Sequence, residues 1–70
     1  MISDEALKNW FCYHSPTEEQ IPKYQAIRDA ALRFAVVIRD NTPEGADQTA
    51  TMRKLRETVM SANASIACAP

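Results

Sequence analysis

The chain has 70 residues, with eight Lys/Arg against nine Asp/Glu for a formal net charge of −1. That length allows one domain, and the near-neutral balance excludes the overall basic field that binding to long nucleic acids requires. Ordering so short a chain costs on the order of 1.5 kcal/mol per residue, which one small core only just offsets, so a disulfide, a metal or partner chains should supply the rest.

The first two of these are poorly supported. The only cysteines are Cys12 and Cys68, and the N-terminal Met-Ile-Ser-Asp-Glu is acidic where a signal peptide is basic, so free thiols and a cytoplasmic location are expected. One histidine, His14, and two widely separated cysteines match no zinc-ligand spacing, and neither a metal nor a cofactor is expected. Self-association remains. The longest apolar run, Phe34 to Ile38, is too short to cross a bilayer, so no membrane is involved.

Along the chain, a single domain over residues 1–70 resolves into three helical segments. The first is predicted over about 3–12: Ser3 caps it, Asp4 and Glu5 suit its positive end, and Ala6, Trp10 and Phe11 form its apolar side. Pro16 disfavours helical geometry at Ser15 and ends it. The second helix is predicted over about 17–40. Either Ser15 caps it with Pro16 at its first position, or Thr17 and Gln20 form a capping box, and Pro22 imposes a break or kink, so smooth helix is expected only from about Ile21 to Asp40. Tyr24, Ile27, Ala31, Phe34 and Ile38 recur at the three-four spacing of a packed helix face. Ala30, Ala35, Val36 and Val37 widen that stripe beyond what one partner helix covers, which points to a second contact surface.

Residues 41–45 read as a turn, with Thr42 as cap and Pro43 opening the third helix, predicted over about 43–67. Its Met52, Leu55, Val59, Ala62 and Ile66 repeat the same rhythm. A turn this short makes the two long helices antiparallel, so the expected fold is all-α: a short N-terminal helix plus a two-helix hairpin, assembled as a homo-oligomer.

Catalysis is not expected. His14 has no acidic neighbour in sequence, and neither cysteine sits beside an activating basic pair. Two residues point instead to binding. Tyr13 leaves the first helix beside a proline turn, where a ring with one free face is a stacking platform for a nucleobase; the other reading is a tyrosine that staples the turn. Arg28 adjoins the apolar stripe and presents a fork suited to phosphate oxygens, or else pairs with a neighbouring acid such as the equivalent of Asp29 across an interface. Trp10 and Phe11 serve either to cover the hairpin or to extend the aromatic cluster at Tyr13. Arg53, Lys54 and Arg56 read as a solvated helix face.

The order Asn9-x-Phe11-x-Tyr13-His14-x-Pro16, then Tyr24-x-x-Ile27-Arg28, then Leu55, Val59-Met60 and Ala62-Asn63-Ala64-x-Ile66-Ala67, resembles the helical-hairpin domain shared by phage anti-CBASS and anti-Thoeris sponges. The resemblance spans roughly Asn9 to Ala67. It implies a homo-oligomer, typically a hexamer, in the cytoplasm of the infected host, which binds cyclic di- or trinucleotide messengers between subunits and withholds them from immune effectors without cleaving them. It implies base stacking by Tyr13 and phosphate contact by Arg28, and Phe11, Trp10, His14 and Asn63 complete the candidate ligand-binding set. The chain departs from many relatives at Ser61, where they carry an aromatic, and at Cys68, where they carry an arginine. The competing reading is a structural or regulatory helical oligomer that binds a protein partner through its wide apolar stripe.

Overall fold

A computed structural model describes all 70 residues and contains three helices: α1 (Asp4–Trp10), α2 (Ile21–Asn41) and α3 (Ala46–Ala67). Ser3, in extended geometry, accepts the Ala6 N–H on its hydroxyl at 3.1 Å and caps α1 over the acidic first turn. The helix stops at Trp10, two residues short of the expected end. Its Asn9 carbonyl, which a longer helix would offer to the N–H of Tyr13, accepts instead from the His14 Nε2 at 2.6 Å. The Phe11 N–H makes the last helical bond, to the Leu7 carbonyl at 3.0 Å.

Between α1 and α2 the capping-box reading holds. The Thr17 N–H donates to the Gln20 Oε1 at 3.1 Å and the Gln20 N–H donates to the Thr17 Oγ1 at 3.2 Å. Residues 18–20 form a turn, and regular helix begins at Ile21, the expected start of smooth helix within the predicted segment 17–40. Pro22 accounts for this start, since it has no N–H to give the Glu18 carbonyl. The Gln20 side chain also donates through Nε2 to the Ile66 carbonyl at 3.3 Å, tying the start of α2 to the end of α3.

At the opposite end the α2–α3 turn differs from expectation. Thr42 does not cap α3: its hydroxyl donates back to the Ile38 carbonyl at 2.6 Å and closes α2. Pro43 lies outside α3, which starts at Ala46 with its first helical bond from the Thr49 N–H to the Gly45 carbonyl. Gly45 takes φ 159° and ψ −176°, a conformation open to a residue without a Cβ. Gln48 Nε2 clamps the turn with donations to the Arg39 carbonyl (3.3 Å), the Thr42 carbonyl (3.2 Å) and the Thr42 hydroxyl (3.0 Å).

With both ends tied, α2 and α3 run antiparallel. The seam between them is half-buried and built from Tyr24, Ile27, Ala31, Ala35 and Ile38 on α2, and Met52, Leu55, Val59, Ala62 and Ile66 on α3. Phe34, expected in the seam, is 57% exposed, and Ala35 takes its place. The small alanine suits the close side of the seam, while Phe34 lines a groove beside it together with Ile27, Ala30 and Leu55. Trp10 and Phe11 do not cover the hairpin either; they are 51% and 83% exposed.

No residue of the isolated chain is buried. Its extents are 44 × 32 × 14 Å, so it is one helix layer thick. The radius of gyration is 15.3 Å, where a compact domain of this length has about 11 Å. The accessible surface is 5986 Å², against about 4,400 Å² for a compact monomer of the same mass. No helix is long and apolar enough to cross a membrane.

Candidate functional site

Where the segment after α1 meets the start of α2, a cleft of about 410 Å³ opens, lined by His14, Pro16, Ile21, Tyr24, Arg28, Val59 and Asn63. That volume falls in the range of small-ligand sites. Tyr24 and Arg28 share one face of α2, one turn apart, and Val59 and Asn63 stand likewise on α3, so the hairpin contributes two paired walls. Pro16 and His14 close the third side from the connecting segment.

Three of the residues singled out from sequence, His14, Arg28 and Asn63, thus come together across three parts of the chain. Arg28 makes no ion pair. Its Nη2 reaches only the Gln25 Oε1, at 3.4 Å, while Asp29 is occupied by a 3.0 Å bond from the Gln25 Nε2. The sole ion pair of the chain joins Arg39 and Asp40 at 2.9 Å on the solvated face, where the hydrogen bond first and the opposite charge second raise the Arg39 pKa. Arg28 is therefore a guanidinium on a cleft wall with no carboxylate to neutralise it. Opposite in chemistry is Asn63, whose side-chain Oδ1 is buried and accepts no hydrogen bond. An unpaired buried acceptor costs about 1–3 kcal/mol.

His14 plays a positioning part. A carbonyl oxygen only accepts, so its 2.6 Å contact with Asn9 places a hydrogen on Nε2. With the Asn9 Nδ2 donating to the Cys68 carbonyl at 2.9 Å, this contact fixes the connecting segment to the end of α3. No three His, Cys, Asp or Glu side chains form a group that could hold a metal ion.

The other three candidates lie outside the cleft. Tyr13 is 86% exposed, Phe11 83% and Trp10 51%, so within one chain their rings face solvent. Tyr24, assigned to the core stripe on its spacing, is the aromatic that lines the cleft. Its four-residue offset from Arg28 is the signal that placed both on one helical face.

A family model for the Acb2/Tad1 hairpin domain matches residues 3–67. The chain belongs to this family. The match takes in all three helices and every residue of the cleft, and the Acb2/Tad1 hairpin is the domain of the anti-CBASS and anti-Thoeris sponges, a binding family. No individual curated protein and no solved structure matches the chain.

Proposed function

We propose that the protein sequesters cyclic oligonucleotide second messengers, cyclic dinucleotides foremost and cyclic trinucleotides as a further class, and releases them uncleaved. The observation that carries this reading is the cleft in which a guanidinium without an ion-pair partner, Arg28, stands with the Asn63 side chain and the ring of Tyr24. Arg28 meets a phosphate oxygen, Asn63 offers its amide to a base or sugar, and Tyr13 supplies a free ring on which a base stacks.

Self-association completes the site. A cyclic dinucleotide is a near-two-fold dianion with two base faces, and a two-fold pair of chains offers it one arginine and one exposed tyrosine per half. The chain exposes about 1,600 Å² more than a compact monomer of its mass, surface that is available for contacts with further copies such as a hexamer provides. Apolar grooves on the hairpin receive those copies: one contains Leu32, Ala35 and Met60, and another contains Ile27, Phe34 and Thr58. In an infected bacterial cytoplasm such an assembly lowers the free messenger concentration that immune effectors sense.

The test separates binding from turnover. Protein saturated with a cyclic dinucleotide is heated to denaturation, and the released nucleotide is analysed by mass spectrometry. Full recovery of the intact cyclic compound supports sequestration, whereas a linearised product or no retained nucleotide refutes it.

A further inference from the structure

Cys12 and Cys68, far apart in the chain, converge on one pair of atoms. The Cys12 Sγ lies 3.4 Å from the His14 Nε2 and the Cys68 Sγ lies 4.0 Å from the same nitrogen. Both thiols also point at the Asn9 carbonyl oxygen, at 3.6 Å and 3.8 Å. The amide of Asn9 holds the Cys68 backbone in place through its 2.9 Å bond to the Cys68 carbonyl. Two free thiols are thereby gathered about a common centre formed by the His14 Nε2 and the Asn9 carbonyl oxygen.

We propose that this thiol pair is an oxidation site at which Cys12 and Cys68 form a reversible disulfide, tying the Tyr13 segment to the end of α3. The two cysteines differ in access: Cys12 is exposed and Cys68 half-buried, so Cys12 meets the oxidant and Cys68 resolves it. With a hydroperoxide as oxidant, the Cys12 thiolate attacks the terminal oxygen. The O–O bond breaks, a sulfenic acid forms, and hydroxide or an alkoxide departs and takes up a proton from solvent. The Cys68 thiolate then attacks the Cys12 sulfur, the S–O bond breaks, and hydroxide departs to take up a proton as water. The two electrons lost by the thiols are those gained by the peroxide, and a dithiol reductant reverses the change.

The consequence is conformational. The segment from Phe11 to Gln20 is held to α3 by few hydrogen bonds, and a covalent closure spanning most of the chain restricts the unfolded state strongly. The site stands on the thiol geometry alone and does not depend on the ligand reading.

Purified full-length protein is treated with stoichiometric hydrogen peroxide, then analysed by intact mass, non-reducing peptide mapping and thermal denaturation. The expected result is a loss of about 2 Da from the monomer mass and a linked peptide containing Cys12 and Cys68. The melting midpoint should rise by on the order of 10 °C or more, reversed by dithiothreitol. Cys12→Ser and Cys68→Ser, checked for helicity by circular dichroism, should each abolish both the mass change and the rise. Cross-linking between chains, sulfinic acid at Cys12 with Cys68 left free, or a linked chain with an unchanged midpoint would overturn the proposal.

Discussion

Phe34→Glu should convert the folded assembly into dissociated and largely unfolded chains. The residue is 57% exposed in the isolated hairpin and lines the groove formed with Ile27, Ala30 and Leu55. Full burial of a phenylalanine contributes about 1.5–3 kcal/mol, so covering the remaining half by a second copy is worth about 1.5 kcal/mol per chain, or roughly tenfold in association. A glutamate there forfeits that gain and adds several kcal/mol for an unpaired carboxylate taken from water. Sedimentation equilibrium with circular dichroism over a wide range of concentrations reads both effects. Wild-type protein should melt at a midpoint that climbs with concentration, as mass action requires when folding needs partners. Phe34→Glu should show monomeric mass and weak helicity throughout. A wild-type monomer with a concentration-independent midpoint, or a Phe34→Glu variant that assembles normally, would refute the reasoning.

Arg28→Ala and Tyr13→Ala should each weaken cyclic-dinucleotide binding by about 1–3 kcal/mol, with the assembly mass unchanged, as read by calorimetry and light scattering. Asn63→Leu should separate stability from binding: removing an unpaired buried acceptor should leave the melting midpoint unchanged or raise it, while ligand affinity falls. Thr17→Ala deletes the hydroxyl that accepts the Gln20 N–H at 3.2 Å, and should lower stability by about 1 kcal/mol in a chemical melt with no loss of ligand stoichiometry.

Helix order and hairpin topology were legible in sequence because they rest on local chemistry. Ser3 with its acidic first turn, Thr17 paired with Gln20, and the three-four rhythm of Met52 to Ile66 each act within a few residues of their own position. What escaped reading depends on tertiary placement. Thr42 is an ordinary capping residue by type, yet its hydroxyl is spent on the Ile38 carbonyl, and the start of α3 moves to Ala46. Phe34 and Ala35 both fit the apolar stripe, and only the approach of α3 decides that the alanine faces inward. The candidate site divides the same way. Arg28 could be singled out by its position beside the stripe, but its lack of an acid partner follows from Gln25 engaging Asp29. Tyr24 lies in the seam as its spacing indicated, but spacing could not show that the same residue also lines a cleft. The meeting of Cys12, His14 and Cys68 has no sequence signature, since it depends on the connecting segment folding onto the far end of α3.

The central claim concerns ligand capture by paired chains, and calorimetric titration of cyclic dinucleotides into the assembled wild-type protein tests it most directly. The account predicts saturable binding of one ligand for every two chains, at an affinity that Arg28→Ala lowers by about 5- to 150-fold. Absence of heat across a panel of cyclic di- and trinucleotides, or saturation that Arg28→Ala leaves untouched, would contradict it.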